Sequence, residues 1–395
     1  GGGLMSVMRG GRVFEKVGVN ISEVYGTLAP RAQAMMADRH IDALLLTTEP
    51  EVRYFTGYLT RFWESPARPW FLIVPASGDP IAVIPTIGAA LMGRSWVTDI
   101  RTWRSPDYDD DGVALLHDTL DDLGAKRVAT PMGLETHLRM PLDDFDRLQG
   151  LLGAKIISDD GIIPALRMVK SDVEVAAIQK ACDVANRAFA RVPEIAKAGV
   201  PLSTVFRKFQ MLCLDEGADF VTYLAGGAGQ GGYDDVISPA SDAPLAYGDI
   251  LMLDTGLIVD GYYCDFDRNF AVGPVADGAK AAHAKLIDAV DAAIAIAKPD
   301  TTAAELFHAM DQIVTGGAGG SDTGRLGHGL GMQLTEWPSF IAGDHTVIEA
   351  GMVLTLEPGV QTGDGRMIVH EEDMVITQDG PQFLSPRAGR DLTVI

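Results

Sequence analysis

Acidic residues recur at strand-like positions in the C-terminal third of this 395-residue chain. Residues 251–270 carry Asp254, Asp265 and Asp267 among apolar and aromatic residues. Asp is poorly tolerated inside strands, and acidic side chains that face one site repel one another. A divalent cation bound by carboxylate oxygens would remove that repulsion. The stretch therefore predicts a metal site.

A second stretch repeats this arrangement. Asp254 follows Gly248 by six residues across an apolar run, and Glu357 follows Gly351 in the same way. Each of these acids is followed by a further strand-like segment that bears another acid. The echo predicts two similar halves that supply carboxylates to one site.

The acid-bearing strand after Glu357 is expected at residues 367–376. His370 and Glu372 would share one face of it, because side chains alternate along a strand with a period of two. Between the two stretches, His328 lies within Gly-His-Gly-Leu-Gly. The predicted metal ligands are Asp254, Asp265, His328, Glu357 and Glu372. Four carboxylates and one imidazole suit two divalent ions that share bridging carboxylates.

The order Asp, eleven residues to Asp, His-Gly-Leu-Gly, Glu-Pro-Gly and Glu-Asp resembles that of the metal-dependent pita-bread peptidases. This family, peptidase family M24, includes aminopeptidase P, prolidase, methionine aminopeptidase and creatinase. The resemblance covers residues 30–395. It implies an α/β N-terminal domain like that of creatinase and prolidase at residues 30–164. It also implies an α+β, pseudo-twofold pita-bread catalytic domain at residues 165–395, and a homodimer.

The resemblance gives each predicted ligand a role. Glu357 would bind a metal and accept the proton of the attacking water, which makes it a predicted catalytic residue. Asp254 would bind one ion and His328 the other. Asp265 and Glu372 would bridge the two ions.

Three positions depart from the family pattern. Thr335 replaces a histidine seven residues after His328, although the following Glu336 keeps the frame of the motif; both are predicted substrate contacts. Residues 219–253 contain no histidine, where the family has one. His370 stands where the family has arginine. It is a second predicted catalytic residue, either replacing part of the missing acid–base chemistry or only bracing Glu372.

Two further residues have alternative interpretations. Asp267 stands where the family has threonine, and it would either orient a ligand or bind metal itself. In the N-terminal domain, Trp63 and Trp70 flank a proline-containing loop. They would either close over a substrate or pack as ordinary large residues. Trp63 is the predicted substrate contact.

Composition excludes several classes of partner. The net charge of −22 argues against nucleic acid and anionic membranes. No apolar run reaches the roughly 18–20 residues that a spanning helix needs. Three widely spaced cysteines favour a reducing, cytoplasmic location. Residues 1–29 resemble a glycine-rich fragment of oxygen-dependent coproporphyrinogen oxidase and are expected to form an extra segment without a catalytic role.

The predicted function is hydrolysis of an amide bond in an Xaa-Pro or other short peptide by two divalent ions. Carboxylate-rich ligation with one imidazole favours Mn²⁺, with Fe, Co or Zn as alternatives. A second interpretation keeps the fold and the ions but acts on a small non-peptide metabolite, like creatinase or dimethylsulfoniopropionate lyase. A third is a non-catalytic binding module, and the five retained ligand positions argue against it.

Overall fold

The computed structural model describes residues 27–65 and 68–395. The chain divides into two compact units, Gly1–Arg167 and Met168–Ile395. The predicted boundary after residue 164 stays a prediction. Most of the predicted extra segment, residues 1–29, lies outside the described residues. Within the described ranges, the helices are too short or too polar to cross a bilayer.

The N-terminal unit is built on one mixed sheet. Its strands are β1 (Ala43–Leu46), β2 (Phe71–Pro75), β3 (Ile81–Pro85), β4 (Asp99–Trp103), β5 (Val128–Thr130) and β6 (Ile157–Ser158). Their order across the sheet is β4-β3-β2-β1-β5-β6. Strands β1, β2 and β3 are buried along their whole length, so their sequences are continuously apolar rather than alternating.

Helices precede, separate and follow the strands of this unit in the sequence. They are α1 (Leu28–Asp38), α2 (Glu49–Thr56), α3 (Ala89–Met92), α4 (Val113–Asp122), α5 (Leu142–Leu152) and α6 (Ile162–Met168). Apolar residues of α4 and α5 pack with those of the sheet in one core. The alternation of strands and helices agrees with an α/β unit.

The C-terminal unit has two halves, each with two helices followed by strands. The first half contains α7 (Asp172–Ala190), α8 (Leu202–Asp215), β7 (Phe220–Gln230), β8 (Asp249–Val259), β9 (Tyr262–Tyr263) and β10 (Phe266–Ala271). The second half contains α9 (Asp277–Ile294), α10 (Ala303–Val314), β11 (His328–Gly329), β12 (Glu336–Ser339), β13 (Val353–Leu356), β14 (Gly359–Gly363), β15 (Arg366–Val369), β16 (Glu372–Thr377), β17 (Gly380–Phe383) and β18 (Thr393–Val394).

The strands of this unit form two larger sheets and a hairpin. One sheet has the order β18-β10-β8-β7, with β9 paired to β8. The other has the order β12-β11-β13-β16-β17, and β14 pairs with β15. Helices α9 and α10 pack on the second sheet through a core that is fully apolar.

Equivalent caps start one helix in each half. Ser171 begins α7 by accepting a hydrogen bond from the backbone N–H of Glu174, whose carboxylate accepts one from the Ser171 N–H. Thr302 and Glu305 do the same for α10. Reciprocal caps of this kind satisfy two otherwise unpaired donors and fix where the helix starts.

Residues 367–376 do not form the single strand that the sequence predicts. Strand β15 ends at Val369 and pairs with β14, whereas β16 begins at Glu372 and pairs with β13 and β17. His370 and Glu371 lie in the break between them. The period-two alternation is therefore interrupted at the point where the last ligand was predicted.

Candidate metal centre

Six side chains converge between the two larger sheets of the C-terminal unit. They are Asp254, Asp265, Asp267, His328, Glu357 and Glu371. Asp265, His328 and Glu371 each offer a ligand atom, and these atoms lie within 4.8 Å of one another. Asp254, Asp267 and Glu371 form a second group of the same kind. Glu371 belongs to both groups, so its carboxylate lies between them.

The first sheet positions the three aspartates. Asp254 on β8 lies directly opposite Asp267 on β10, and opposite residues of an antiparallel pair project from the same face. Asp265 immediately precedes β10, and its backbone N–H donates a hydrogen bond of 2.9 Å to the carboxylate of Asp373 on β16. The backbone N–H of Glu371 donates to Asp267 Oδ1 at 2.8 Å. These bonds tie the two sheets together at the cluster.

Glycines on both sides of His328 let neighbouring strands approach it. A Cβ added at Gly327, which has φ of 147°, would lie 2.2 Å from the Thr355 carbonyl oxygen. A Cβ at Gly329 would lie 2.0 Å from the carbonyl oxygen of Trp337. Real Cβ atoms do not approach backbone that closely, so both positions require glycine.

The imidazole of His328 is oriented by its own backbone neighbour. Its Nδ1 lies 2.7 Å from the Gly329 carbonyl oxygen. A carbonyl only accepts hydrogen bonds, so Nδ1 carries a hydrogen and donates it. Nε2 therefore faces the acids, 3.1 Å from Asp265 Oδ2 and 3.5 Å from Glu357 Oε1. This is how a histidine ligand is commonly held.

The cluster carries more negative charge than the protein compensates. Burial, followed by repulsion from neighbouring acids, raises the pKa of Asp254 and of Glu371 well above the ordinary range. Burial also raises the pKa of Asp267. Burial alone would lower the pKa of His328, but the charges of Glu357 and Asp265 outweigh it and raise the pKa to about 9.

The donor set fits divalent cations. Asp254 Oδ1 and Glu371 Oε2 are buried and have no hydrogen-bond donor among the described residues. A buried polar atom without a partner is costly, and a cation between the carboxylates would satisfy both atoms. Carboxylates with a single imidazole are ligands that Mn²⁺ and similar ions accept.

Glu372, a predicted ligand, does not face the cluster. Its Oε1 accepts hydrogen bonds of 2.8 Å from Arg268 and from Ser385, and Oε2 accepts one of 2.9 Å from the Ala388 N–H. Burial would raise the pKa of Glu372, but Arg268 and His370 lower it to about 2. The break between β15 and β16 changes the phase of the side chains, so the neighbouring Glu371 occupies the position predicted for Glu372.

His370 lies behind the cluster rather than in it. The imidazole is fully buried, with Nε2 3.2 Å from Glu372 Oε2 and Nδ1 3.9 Å from Asp267 Oδ1. Its ring packs edge-on against His283. This geometry agrees with the alternative in which His370 braces Glu372. A catalytic role for His370 stays a prediction.

The predicted substrate contacts Thr335 and Glu336 lie where a loop enters β12, with Thr335 at the end of the loop and Glu336 at the start of the strand. Glu336 is buried, with Oε1 2.9 Å from Lys170 Nζ and Oε2 3.0 Å from the Gln333 N–H. Both of its oxygens therefore hold the loop, and its contact with substrate stays a prediction. Thr335 is half-buried beside it. Its contact with substrate stays a prediction.

Trp63 belongs to the N-terminal unit, where it lies in an aromatic cluster. Its ring centroid is 5.8 Å from that of Trp70 and 6.5 Å from that of Tyr58, and the Arg139 guanidinium lies 5.1 Å from it. These contacts are ordinary packing within the unit. A role for Trp63 in binding substrate stays a prediction.

Two functional candidates were missed by reasoning from the sequence. Glu371 was passed over because Glu372 next to it fitted an uninterrupted strand. Tyr223 on β7 carried no motif, yet it lies two residues before Ala225, which pairs with Asp254, and burial followed by the negative charges of Asp254 and Asp265 raises the pKa of its hydroxyl. Its position becomes visible only when β7 is paired with β8.

Comparisons with known proteins identify both units. Residues 30–169 match the creatinase/prolidase N-terminal domain, and residues 176–378 match metallopeptidase family M24. The Xaa-Pro dipeptidase of Pyrococcus horikoshii is 31% identical over 357 residues, covering 89% of this chain and 94% of that protein. The probable dipeptidase PepE of Mycobacterium tuberculosis is 29% identical over 364 residues, covering 91% and 94%.

Solved structures agree with these matches. The crystal structure of dipeptidase PepE from Mycobacterium ulcerans has a TM-score of 0.81 and 28% identity, covering 94% of this chain and 98% of that one. The predicted fold class, an α/β creatinase/prolidase-like domain followed by a pseudo-twofold α+β pita-bread domain, is confirmed. The chain belongs to metallopeptidase family M24.

Proposed function

We propose that this chain is a dinuclear metal-dependent peptidase that hydrolyses the amide bond of Xaa-Pro or similar short peptides. The observation that carries the proposal is the pair of buried carboxylate oxygens, on Asp254 and Glu371, that lack donors among the described residues. An acid cluster of this density persists in a fold at low cost only when cations compensate it.

The two overlapping groups divide the ligands between two ions. Asp254 and Asp267 would hold one ion, and Asp265 and His328 the other, with Glu371 shared between them. Asp267 is thus proposed as a ligand, which is the second of the two alternatives for that residue. We propose Mn²⁺ for both positions, since oxygen donors dominate, with Fe, Co or Zn as alternatives.

Glu357 is suited to accept a proton from the attacking water. When bound, two divalent ions would lower the pKa of that water and polarise the substrate carbonyl. The side chain of Glu357 is 26% exposed, whereas that of Glu371 is 1% exposed, so Glu357 lies at the open side of the cluster. A tyrosine hydroxyl is protonated near neutral pH, and burial followed by repulsion from the neighbouring acids raises the pKa of Tyr223 further. Its hydroxyl would donate a hydrogen bond to the substrate.

The printed names of the relatives support the substrate class. A matched protein is named an Xaa-Pro dipeptidase and others are named dipeptidases. A homodimer is proposed on the family resemblance. A cytoplasmic location is proposed on the three cysteines, which are free and buried.

A specific observation favours a second candidate, a hydrolase or lyase that acts on a small non-peptide metabolite. The groups that would handle a peptide differ from the family pattern: Thr335 replaces a histidine, and residues 219–253 contain none. The metal-type ligands are retained while these groups are lost. Such a change suits a substrate that needs different proton donors.

Metal analysis combined with substrate assays tests both candidates. Purified protein would be loaded with Mn²⁺, its metal content measured by mass spectrometry, and a panel of Xaa-Pro and other dipeptides assayed by amine release. About two ions per chain and peptide turnover support the first candidate. Two ions without turnover of any peptide favour the second. Absence of bound metal contradicts both.

A further inference from the structure

The two ligands Asp265 and His328, proposed for one ion, have their backbones held by a pair of facing residues on the second sheet. The Asp265 N–H donates a hydrogen bond of 2.9 Å to Asp373 Oδ2, and the His328 N–H donates one of 3.2 Å to Thr355 Oγ1. Thr355 on β13 lies directly opposite Asp373 on β16, and opposite residues of an antiparallel pair project from the same face. One cross-strand pair therefore fixes the backbone at both ligands.

A buried thiol contacts the same carboxylate oxygen. Cys182 lies on α7, and its Sγ is 3.4 Å from Asp373 Oδ2. Both side chains are fully buried. A cysteine thiol is protonated near neutral pH, and burial raises the pKa of Cys182 well above its ordinary value. The thiol therefore donates to Asp373 Oδ2, which accepts one hydrogen bond from the helix and one from the backbone of a ligand.

These two donors determine how the carboxylate of Asp373 is turned. The terminal torsion of an aspartate side chain is broad, so contacts rather than rotamer preference set it. The other oxygen, Oδ1, has no hydrogen-bond donor in the part of the chain that the structure describes. Without the thiol of Cys182, the carboxylate would keep a single donor and could turn away from the Asp265 N–H. The backbone that carries the Asp265 ligand would then lose its support.

The ligands of the other proposed ion are held by different contacts. Asp254 lies opposite Asp267 in the first sheet, and Asp267 Oδ1 accepts a hydrogen bond of 2.8 Å from the Glu371 N–H. Neither of these contacts involves Cys182 or Asp373. Loss of the thiol should therefore affect one ion position and spare the other.

We propose that Cys182 is a positioning residue for the ion held by Asp265, His328 and Glu371, and that it acts through Asp373. The thiol directs Asp373 Oδ2 toward the Asp265 N–H, and Asp373 in turn holds the backbone of Asp265 where its side chain reaches the ion. The inference rests on the proposed function for the presence of two ions. Metal affinity measures it without any substrate.

Titration of metal-free protein with Mn²⁺ tests this role. Calorimetry measures the affinity of each ion position, and electron paramagnetic resonance distinguishes an exchange-coupled pair from an isolated ion. We expect Cys182→Ala to weaken one position by about 10- to 100-fold, the range for groups that orient metal ligands, and to leave the other nearly unchanged. At Mn²⁺ concentrations that give a pair in the wild type, the variant should show isolated Mn²⁺.

Three variants serve as controls for this titration. Cys182→Ser keeps a donor and should retain more of the affinity than Cys182→Ala does. Cys182→Val fills the space of the thiol without a donor, and it replaces Cys182→Ala if that variant does not fold. Cys213→Ala removes an equally buried thiol from α8 and should bind both ions as the wild type does. Equal loss of affinity in Cys182→Ala and Cys213→Ala would overturn the inference, because the effect would then come from packing.

A double-variant comparison tests the dependence on Asp373. Asp373→Asn should weaken the same ion position, and adding Cys182→Ala to it should cost much less affinity than Cys182→Ala costs in the wild type. Residues of one hydrogen-bonded chain are not additive, whereas independent residues are. Additive losses would overturn the proposed route through Asp373.

The outcomes also separate this inference from the proposed function. Two ions in the wild type without turnover of any peptide would refute the peptidase, and the affinity comparison would still decide the role of Cys182. Peptide turnover with two equally tight ions in Cys182→Ala would refute the role of Cys182 and leave the peptidase intact. A wild-type protein that binds no Mn²⁺ would refute both.

Discussion

The contrast between Glu371 and Glu372 gives the sharpest prediction, because the two acids are adjacent in sequence and opposite in role. The carboxylate of Glu371 belongs to both ligand groups, and one of its buried oxygens has no donor within the described residues. Glu372 accepts hydrogen bonds through both oxygens and faces Arg268. Replacing each by glutamine changes one atom and removes one charge, so the pair is closely matched.

Glu371→Gln should lower metal affinity, whereas Glu372→Gln should lower the stability of the fold. Substituting a residue that only orients a metal ligand typically lowers metal affinity by about 10–100-fold. Glu371→Gln removes the shared ligand itself, so it should weaken Mn²⁺ binding by at least about 100-fold. Glu371→Gln should also relieve repulsion among the acids, and the metal-free protein should become no less stable. Its peptidase activity should be lost with the metal.

Glu372→Gln should instead destabilise the fold. It leaves the Arg268 guanidinium, which is 13% exposed, without its buried anion. It also replaces the carboxylate oxygen that accepts from the Ala388 N–H with either an amide N–H₂, which cannot accept, or an amide oxygen, which is a weaker acceptor. Breaking a buried pair costs about 3–5 kcal/mol. For a unit of this size, about 3 kcal/mol corresponds to a fall in Tm of roughly 6–12 °C. Metal affinity should change much less than in Glu371→Gln.

Three measurements decide the matter. Metal content after dialysis and titration calorimetry with Mn²⁺ report affinity, and thermal unfolding of metal-free protein reports stability. Asp265→Ala is the reference for a lost ligand and should abolish metal binding and activity. If Glu372→Gln lost its metal while Glu371→Gln retained two tight ions, the break between β15 and β16 would not set the ligand, and the reasoning from geometry would be refuted.

Three other perturbations test separate parts of the site. In metal-free protein, the pKa values of Asp254 and Glu371 are raised, so the folded state retains protons that the unfolded chain releases. The free energy of unfolding in urea should therefore fall from pH 5 to pH 8, by up to about 1.4 kcal/mol per pH unit for each group. Saturating Mn²⁺ should reduce this slope. A stability that rises over this range would contradict the uncompensated cluster. Lys170→Met removes the cation paired with the buried Glu336 carboxylate and should lower the free energy of unfolding in urea by about 3–5 kcal/mol. The double variant Lys170→Met/Glu336→Met should recover much of that loss. A loss below about 1 kcal/mol would mean that the ion pair does not brace the loop. Thr335→His should raise kcat/KM on Xaa-Pro peptides by about tenfold or more, since a positioned imidazole contributes about 10²–10⁴ in rate. No gain across several such peptides would remove the explanation offered for the replaced histidine.

Local chemistry made much of the metal centre predictable. Acids among apolar strand residues, and a histidine between glycines, are costly arrangements unless they serve a site. Asp254, Asp265, His328 and Glu357 all lie at the cluster, as the spacing predicts. Their positions depend on elements that the sequence signals strongly, such as the apolar strand β8.

The phase of the last acid could not be predicted in the same way. Strand β16 is buried on both faces from Glu372 to Ile376, so hydrophobic alternation gives no indication of which side faces the cluster. The two consecutive glutamates then fit either register. A one-residue shift moves every side chain of a strand to the other face. The interruption between β15 and β16, at His370 and Glu371, is set by the pairing of these strands with distant ones.

Residues that act through long-range contacts were also beyond the sequence. Arg325 donates a hydrogen bond to Ser339, which lies opposite His328, and the pairing of β11 with β12 is interrupted by an irregularity after His328. Tyr223 lies on β7, which pairs with the strand that carries Asp254. Neither residue type nor spacing predicts such contacts, because both depend on which strands become neighbours.

The buried acids of the C-terminal unit differ in whether an arginine or lysine side chain compensates their charge. Glu372 is matched by Arg268, which lowers its pKa, and Glu336 is matched by Lys170, so both carboxylates hold elements in place without metal. Glu371 has no lysine or arginine partner among the described residues, only His328 Nε2 at 3.9 Å, and burial followed by repulsion from Asp265 raises its pKa. Charge balance therefore predicts which acids require metal ions. The acids with a protein cation should tolerate metal removal, whereas the acids without one should take up protons when the ions leave, so chelation near neutral pH should be accompanied by measurable proton uptake.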